Sequence, residues 1–115
     1  MYKFIALFLL TKVFASALTV YVEQVSPVAS PYYNFYLDAT KQTPFDFANS
    51  GIDTLVAGET YTFVGLNISS FHPFSMSYTN NGTTTPLVNS LYGSNSETFT
   101  LDSNVDFSSY VKTYR

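Results

Sequence analysis

Cysteine and tryptophan are absent from this 115-residue chain, histidine occurs once, and only 11% of the residues carry charge. Without cysteine there is no disulfide, no thiolate metal site and no thiol nucleophile. A single histidine builds a catalytic triad only with a serine and an acid positioned beside it, and it leaves a metal centre without convergent nitrogen ligands. Five basic residues stand against eight acidic ones, a formal net charge of −3. Nucleic-acid binding needs a basic footprint, so that class is excluded. Lys, Glu, Gln and Arg, the usual helix formers, are also scarce.

Aromatic and apolar residues are plentiful. They make up 18% and 46% of the chain, enough for the core of one domain of this length. Phe, Tyr, Val and Thr dominate, and all four favour strands. Composition alone therefore points to an all-β protein.

The N-terminus reads Met1-Tyr2-Lys3, an apolar run from Phe4 to Leu10, then Thr11-Lys12-Val13-Phe14 and Ala15-Ser16-Ala17. A positive start, a short apolar stretch and a small-x-small exit are the parts of a secretory signal peptide. Residues 1–17 are expected to be that signal, with cleavage after Ala17 and a secreted, extracellular mature domain over 18–115. The mature domain keeps three basic residues (Lys41, Lys112 and Arg115) against all eight acids, a formal charge of −5. An uncleaved anchor is the other reading. It needs about 20 mostly apolar residues, which Phe4 to Val22 supplies only by accommodating Lys12 and two threonines. Two N-x-[ST] sequons, at Asn67 and Asn81, fit an export route as glycosylation sites.

Strand-like segments recur with turn signals between them, the spacing of a sandwich or barrel. The first runs from Leu18 to Val25 and the second from Tyr32 to Leu37. Lys41 to Gly51 reads as loop. Ala57-Gly58-Glu59 turns the chain into Thr60 to Val64, which alternates cleanly, with a possible phase shift at Gly65. In Phe71 to Thr79, Phe74, Met76 and Tyr78 share one face and Ser75, Ser77 and Thr79 the other. Asn80-Asn81-Gly82 signals a hairpin, because Asn and Gly tolerate the positive φ it requires. Glu97 to Leu101 and Tyr110 to Tyr114 complete the set.

His72 lies in the same alternation phase as Phe74, Met76 and Tyr78, which predicts that it points toward the core. Pro73 biases it to extended geometry. As a lone imidazole it reads first as a partly buried group hydrogen-bonded to a loop, and second as a single metal ligand. Asp38, Asp46, Asp53, Asp102 and Asp106 fall mostly at turns, where Asp caps local backbone. No nucleophile–base pair stands out, so no enzyme activity is expected.

Gly58-Glu59-Thr60-Tyr61-Thr62-Phe63, followed by Ser70-Phe71-His72-Pro73-Phe74, resembles the pattern of secreted cupredoxin-like (plastocyanin-like) domains. The resemblance implies a Greek-key β-sandwich or barrel. It also implies that the histidine of H-P-F is the first copper ligand, and that the others lie in a later Y-x-C-x-x-H stretch with a methionine beyond it. Here Tyr110 fits, but Lys112 stands at the cysteine position and Arg115 at the second histidine. The chain ends before an axial methionine and before the family's closing strand. A blue-copper centre needs a thiolate and two imidazoles, and this chain has one imidazole.

The expected function is thus a secreted, non-catalytic β-sandwich module without a working copper centre or other cofactor. Its polar, weakly charged surface would mediate binding to protein or carbohydrate. A truncated or divergent copper-binding electron carrier and a membrane-tethered surface domain are the alternatives. A missing closing strand would leave an edge open to homodimer formation by strand addition.

Overall fold

A computed structural model describes residues 17–26, 28–29, 32–47, 53, 55–80, 82–103 and 111–114. These residues form seven strands: β1 Ala17–Gln24, β2 Tyr33–Tyr36, β3 Thr60–Gly65, β4 Phe74–Asn80, β5 Thr83–Leu91, β6 Ser96–Thr100 and β7 Val111–Tyr114. Among the described residues there is no helix. The strands form two sheets, one ordered β2-β1-β3-β6 and the other β5-β4-β7. All neighbours are antiparallel except β1 and β3, which run parallel with Val20 opposite Phe63. A parallel pair needs a crossover, and here the β2 strand and the following loops supply it.

Alternation places the core between the sheets. Val20 and Val22 from β1, Tyr33 and Phe35 from β2, and Tyr61 and Phe63 from β3 face inward from one sheet. Phe74, Met76, Tyr78, Val88 and Leu91 face inward from the other. Four of the outward positions of β3 and β6 are threonines. Their hydroxyls pair across the strands, Thr60 with Thr100 and Thr62 with Thr98, each at 2.8 Å.

Aromatic rings dominate the interior. Phe63, fully buried, packs against Phe35, Phe47, Phe74 and Phe99 at centroid distances of 5.5 to 6.2 Å. Phe47 comes from the 41–51 stretch that reads as loop. The described part of that stretch is irregular, as expected, yet it inserts Phe45 and Phe47 into the core. Asp38 holds the start of this loop by accepting from the backbone N–H groups of Gln42 and Thr43 and from the Thr40 hydroxyl. These bonds hold its carboxyl below the usual carboxylate range. A second anchor is Tyr61, whose phenol oxygen accepts the Val56 N–H at 2.7 Å; burial pushes its pKa up.

The hairpin signal at 80–82 falls between β4 and β5, with Asn80 opposite Thr83 and Gly82 at φ +78°; Asn81 itself lies outside the described residues. The strand that follows, β5, is the longest of the seven and carries Pro86. Proline lacks a ladder donor and is confined to sheet edges and bulges. Here β5 is an edge strand, and its register shifts on both sides of Met76. Between Val88 and Leu91 the strand carries two residues where β4 has one between Met76 and Phe74. These two residues, Asn89 and Ser90, donate their N–H groups to Glu97 Oε1 and Oε2 at 2.8 and 3.0 Å. Glu97 belongs to β6, so its carboxylate joins the two sheets at this edge. Glu97→Ala is expected to cost about 1 kcal/mol and to speed hydrogen exchange at Asn89 and Ser90. Urea unfolding and amide exchange check both effects, and Glu97→Gln, which keeps one acceptor, should lose less.

Candidate functional site

The structure corrects the expectation for His72. Strand β4 begins at Phe74, and residues 70–72 form a turn in which His72 N–H donates to Ser69 O at 3.1 Å. The turn breaks the two-residue alternation, so His72 leaves the phase of Phe74, Met76 and Tyr78 and is exposed. Phe71 beside it is 89% exposed. The imidazole is not the partly buried, loop-bonded group read from the sequence; among the described residues its side chain makes no hydrogen bond.

His72 instead rims a cleft of about 460 Å³ at one end of the sandwich. One wall is Ser26, after β1, with Tyr32 and Tyr33 leading into β2. The other is Phe71, His72 and Pro73, with Ser75 at the start of β4. Tyr33 ties the walls together. Its ring is buried edge-on against Phe74 at 5.0 Å, and its hydroxyl donates to the carbonyls of His72 and Pro73 at 3.1 and 3.2 Å. The Ser26 hydroxyl oxygen accepts from the N–H groups of Val28 and Ala29, and Tyr32 O accepts from Val25 N–H at 2.9 Å.

The distribution of exposed apolar side chains follows the same geography. Val25, Val28, Tyr32 and Phe71 all lie on the two segments that build the cleft, while Val56 and Tyr92 lie elsewhere. Among the described residues, no Asp, Glu, Lys or Arg lines the cleft. Among the described residues there is no group of three His, Cys, Asp or Glu side chains arranged to hold a metal ion.

The described sequon, Asn67, is exposed on the loop after β3 at φ +56°, a left-handed conformation that Asn tolerates. It lines a separate surface hollow beside the Lys41–Glu23 ion pair of 2.8 Å. Asn81, Asp106 and Tyr110 lie outside the described residues, as does the expected signal segment up to Ser16. No helix among the described residues is long and apolar enough to cross a membrane.

Sequence reasoning found one member of the cleft, His72, and missed the rest. The signal for Phe71 was its place directly before His-Pro, outside the strand period. Ser26 and Tyr33 join it only through the fold. The chain matches no protein-family model, no curated protein and no solved structure.

Proposed function

We propose that this chain is an exported, non-catalytic binding module on a Greek-key sandwich of cupredoxin-like type, and that it has no blue-copper centre. The observation that carries the binding reading is the uncharged cleft rimmed by exposed Phe71, Tyr32 and His72 on a rigid scaffold. A concave site with a few polar groups among apolar ones is the usual form of a ligand pocket.

Strand order supports the fold type. β4, β5 and β6 follow one another in space, with β5 crossing to β6 at the sandwich edge, and β3 lies beside β6. Read backwards along the chain, β6, β5 and β4 are the consecutive strands and β3 lies beside the first of them, which is the order of a Greek key. The His72-Pro73-Phe74 motif stands directly at the entrance of β4, the position that the cupredoxin-like resemblance gives it. Against copper stand the absence of cysteine and the single imidazole. As association we assign strand addition by a second copy at β7, the outer strand of the three-stranded sheet.

Export has a direct test. In the secreted protein, mass spectrometry is expected to find Leu18 as the first residue and a glycan on Asn67. Met1 retained in the exported protein would contradict the cleavage, and recovery of the chain only in the membrane fraction would favour a tethered domain.

A further inference from the structure

We infer that the cleft binds a neutral carbohydrate, with a sugar ring stacked on Phe71 and Tyr32 and its hydroxyls meeting Ser26, Ser75 and His72; this rests on the binding-module reading. Charge is the first argument. None of the described lining residues is Asp, Glu, Lys or Arg, so His72 apart, nothing described in the cleft compensates the desolvation of a charged ligand, which is costly when unpaired.

The second argument is chemical pattern. Phe71 offers a ring that is 89% exposed, and Tyr32 one that is 38% exposed. An aromatic face carries partial negative charge, which suits the polarised C–H groups on the flat side of a pyranose. Around these rings stand groups that donate and accept: two serine hydroxyls and an imidazole. A ligand with one C–H face and a hydroxyl rim uses both sets at once, and a sugar is that ligand. A volume of about 460 Å³ accommodates one or two sugar units.

The third argument separates a sugar from a peptide. Extended peptides bind sheets through free backbone groups at an edge. Along the cleft several of those groups are engaged. Tyr32 O holds Val25 N–H, His72 N–H holds Ser69 O, and the His72 and Pro73 carbonyls hold the Tyr33 hydroxyl. The outer edge of β2 is covered over Phe35 to Leu37 by the 43–45 segment, with Leu37 N–H donating to Thr43 O and Phe45 N–H to Phe35 O, both at 2.8 Å. These engagements shift the balance of what the cleft offers a ligand toward side-chain chemistry.

The test uses the full mature chain, isotopically labelled, titrated separately with cellobiose, chitobiose, α-mannobiose and a neutral proline-rich peptide. At least one disaccharide is expected to give saturable amide shifts confined to the cleft and its flanks, residues 25–26, 32–33 and 71–76. Phe71→Ala should weaken that binding by roughly three- to tenfold, with an unchanged denaturation midpoint because the ring packs on nothing in the core. Saturable shifts elsewhere, or equal affinity in wild type and Phe71→Ala, would overturn the assignment. Peptide binding at 71–75 without any disaccharide binding would overturn the carbohydrate class and leave the binding-module reading standing. Binding of none of the four probes would count against both.

Discussion

Phe63→Ala is expected to lower the unfolding free energy by about 3–5 kcal/mol, the range for deleting a buried phenylalanine. Phe63 is fully buried on β3, the strand that joins β1 to β6, and its ring meets four other phenylalanines. Two of them, Phe35 and Phe99, belong to its own sheet, Phe74 to the opposite one, and Phe47 to the inserted loop. Removing the ring therefore opens a cavity shared by both sheets and the loop, with little backbone able to collapse into it. Small domains have only about 5–15 kcal/mol of stability, so the variant should sit close to its unfolding threshold at room temperature. Urea denaturation followed by near-ultraviolet circular dichroism measures it. A loss under about 1 kcal/mol would mean that Phe63 does not occupy the centre of the core.

Gly65→Ala is expected to destabilise by about 1–3 kcal/mol or more, although it adds a single methyl group. A Cβ at Gly65 would lie 2.5 Å from the Gly93 carbonyl oxygen. That neighbour is backbone and is held in place, because Gly93 and Ile68 exchange two hydrogen bonds of 2.7 and 3.1 Å. The contact cannot be relieved by a side-chain rotation; one of the two chain segments must move. Gly65 was read as a phase shift in the strand. Its role is a close approach of two backbones at the end of β3, the other common meaning of glycine in a strand. The same urea experiment applies, and a neutral result would place the 65 and 93 segments further apart.

The segments legible in the sequence were those governed by local rules. Alternation identified Thr60 to Val64, and Asn81-Gly82 identified the β4–β5 connection. The same rules explain what was missed. Pro86 and the doubled step at Asn89 and Ser90 hide the period of β5, which exists because an edge strand tolerates proline and Glu97 satisfies the displaced amides. Phe45 and Phe47 show no period because they enter the core from irregular backbone. The error at His72 has the same origin: a turn of three residues ends the alternation that seemed to continue into β4. The cleft joins residues 26, 32–33 and 71–75, brought together by the Tyr33 hydroxyl across 39 positions of sequence. No local pattern encodes such a meeting.

The central claim, a binding cleft in place of a metal centre, turns on His72. The most direct measurement is the denaturation midpoint of wild type and His72→Gln, each with Cu(II) and with a chelator. His72 is exposed and its side chain carries no packing in the core. The account therefore predicts four closely matching midpoints and no intense copper–thiolate absorption. A Cu(II)-dependent rise in the wild-type midpoint that vanishes in His72→Gln would contradict it, and would make His72 a metal ligand.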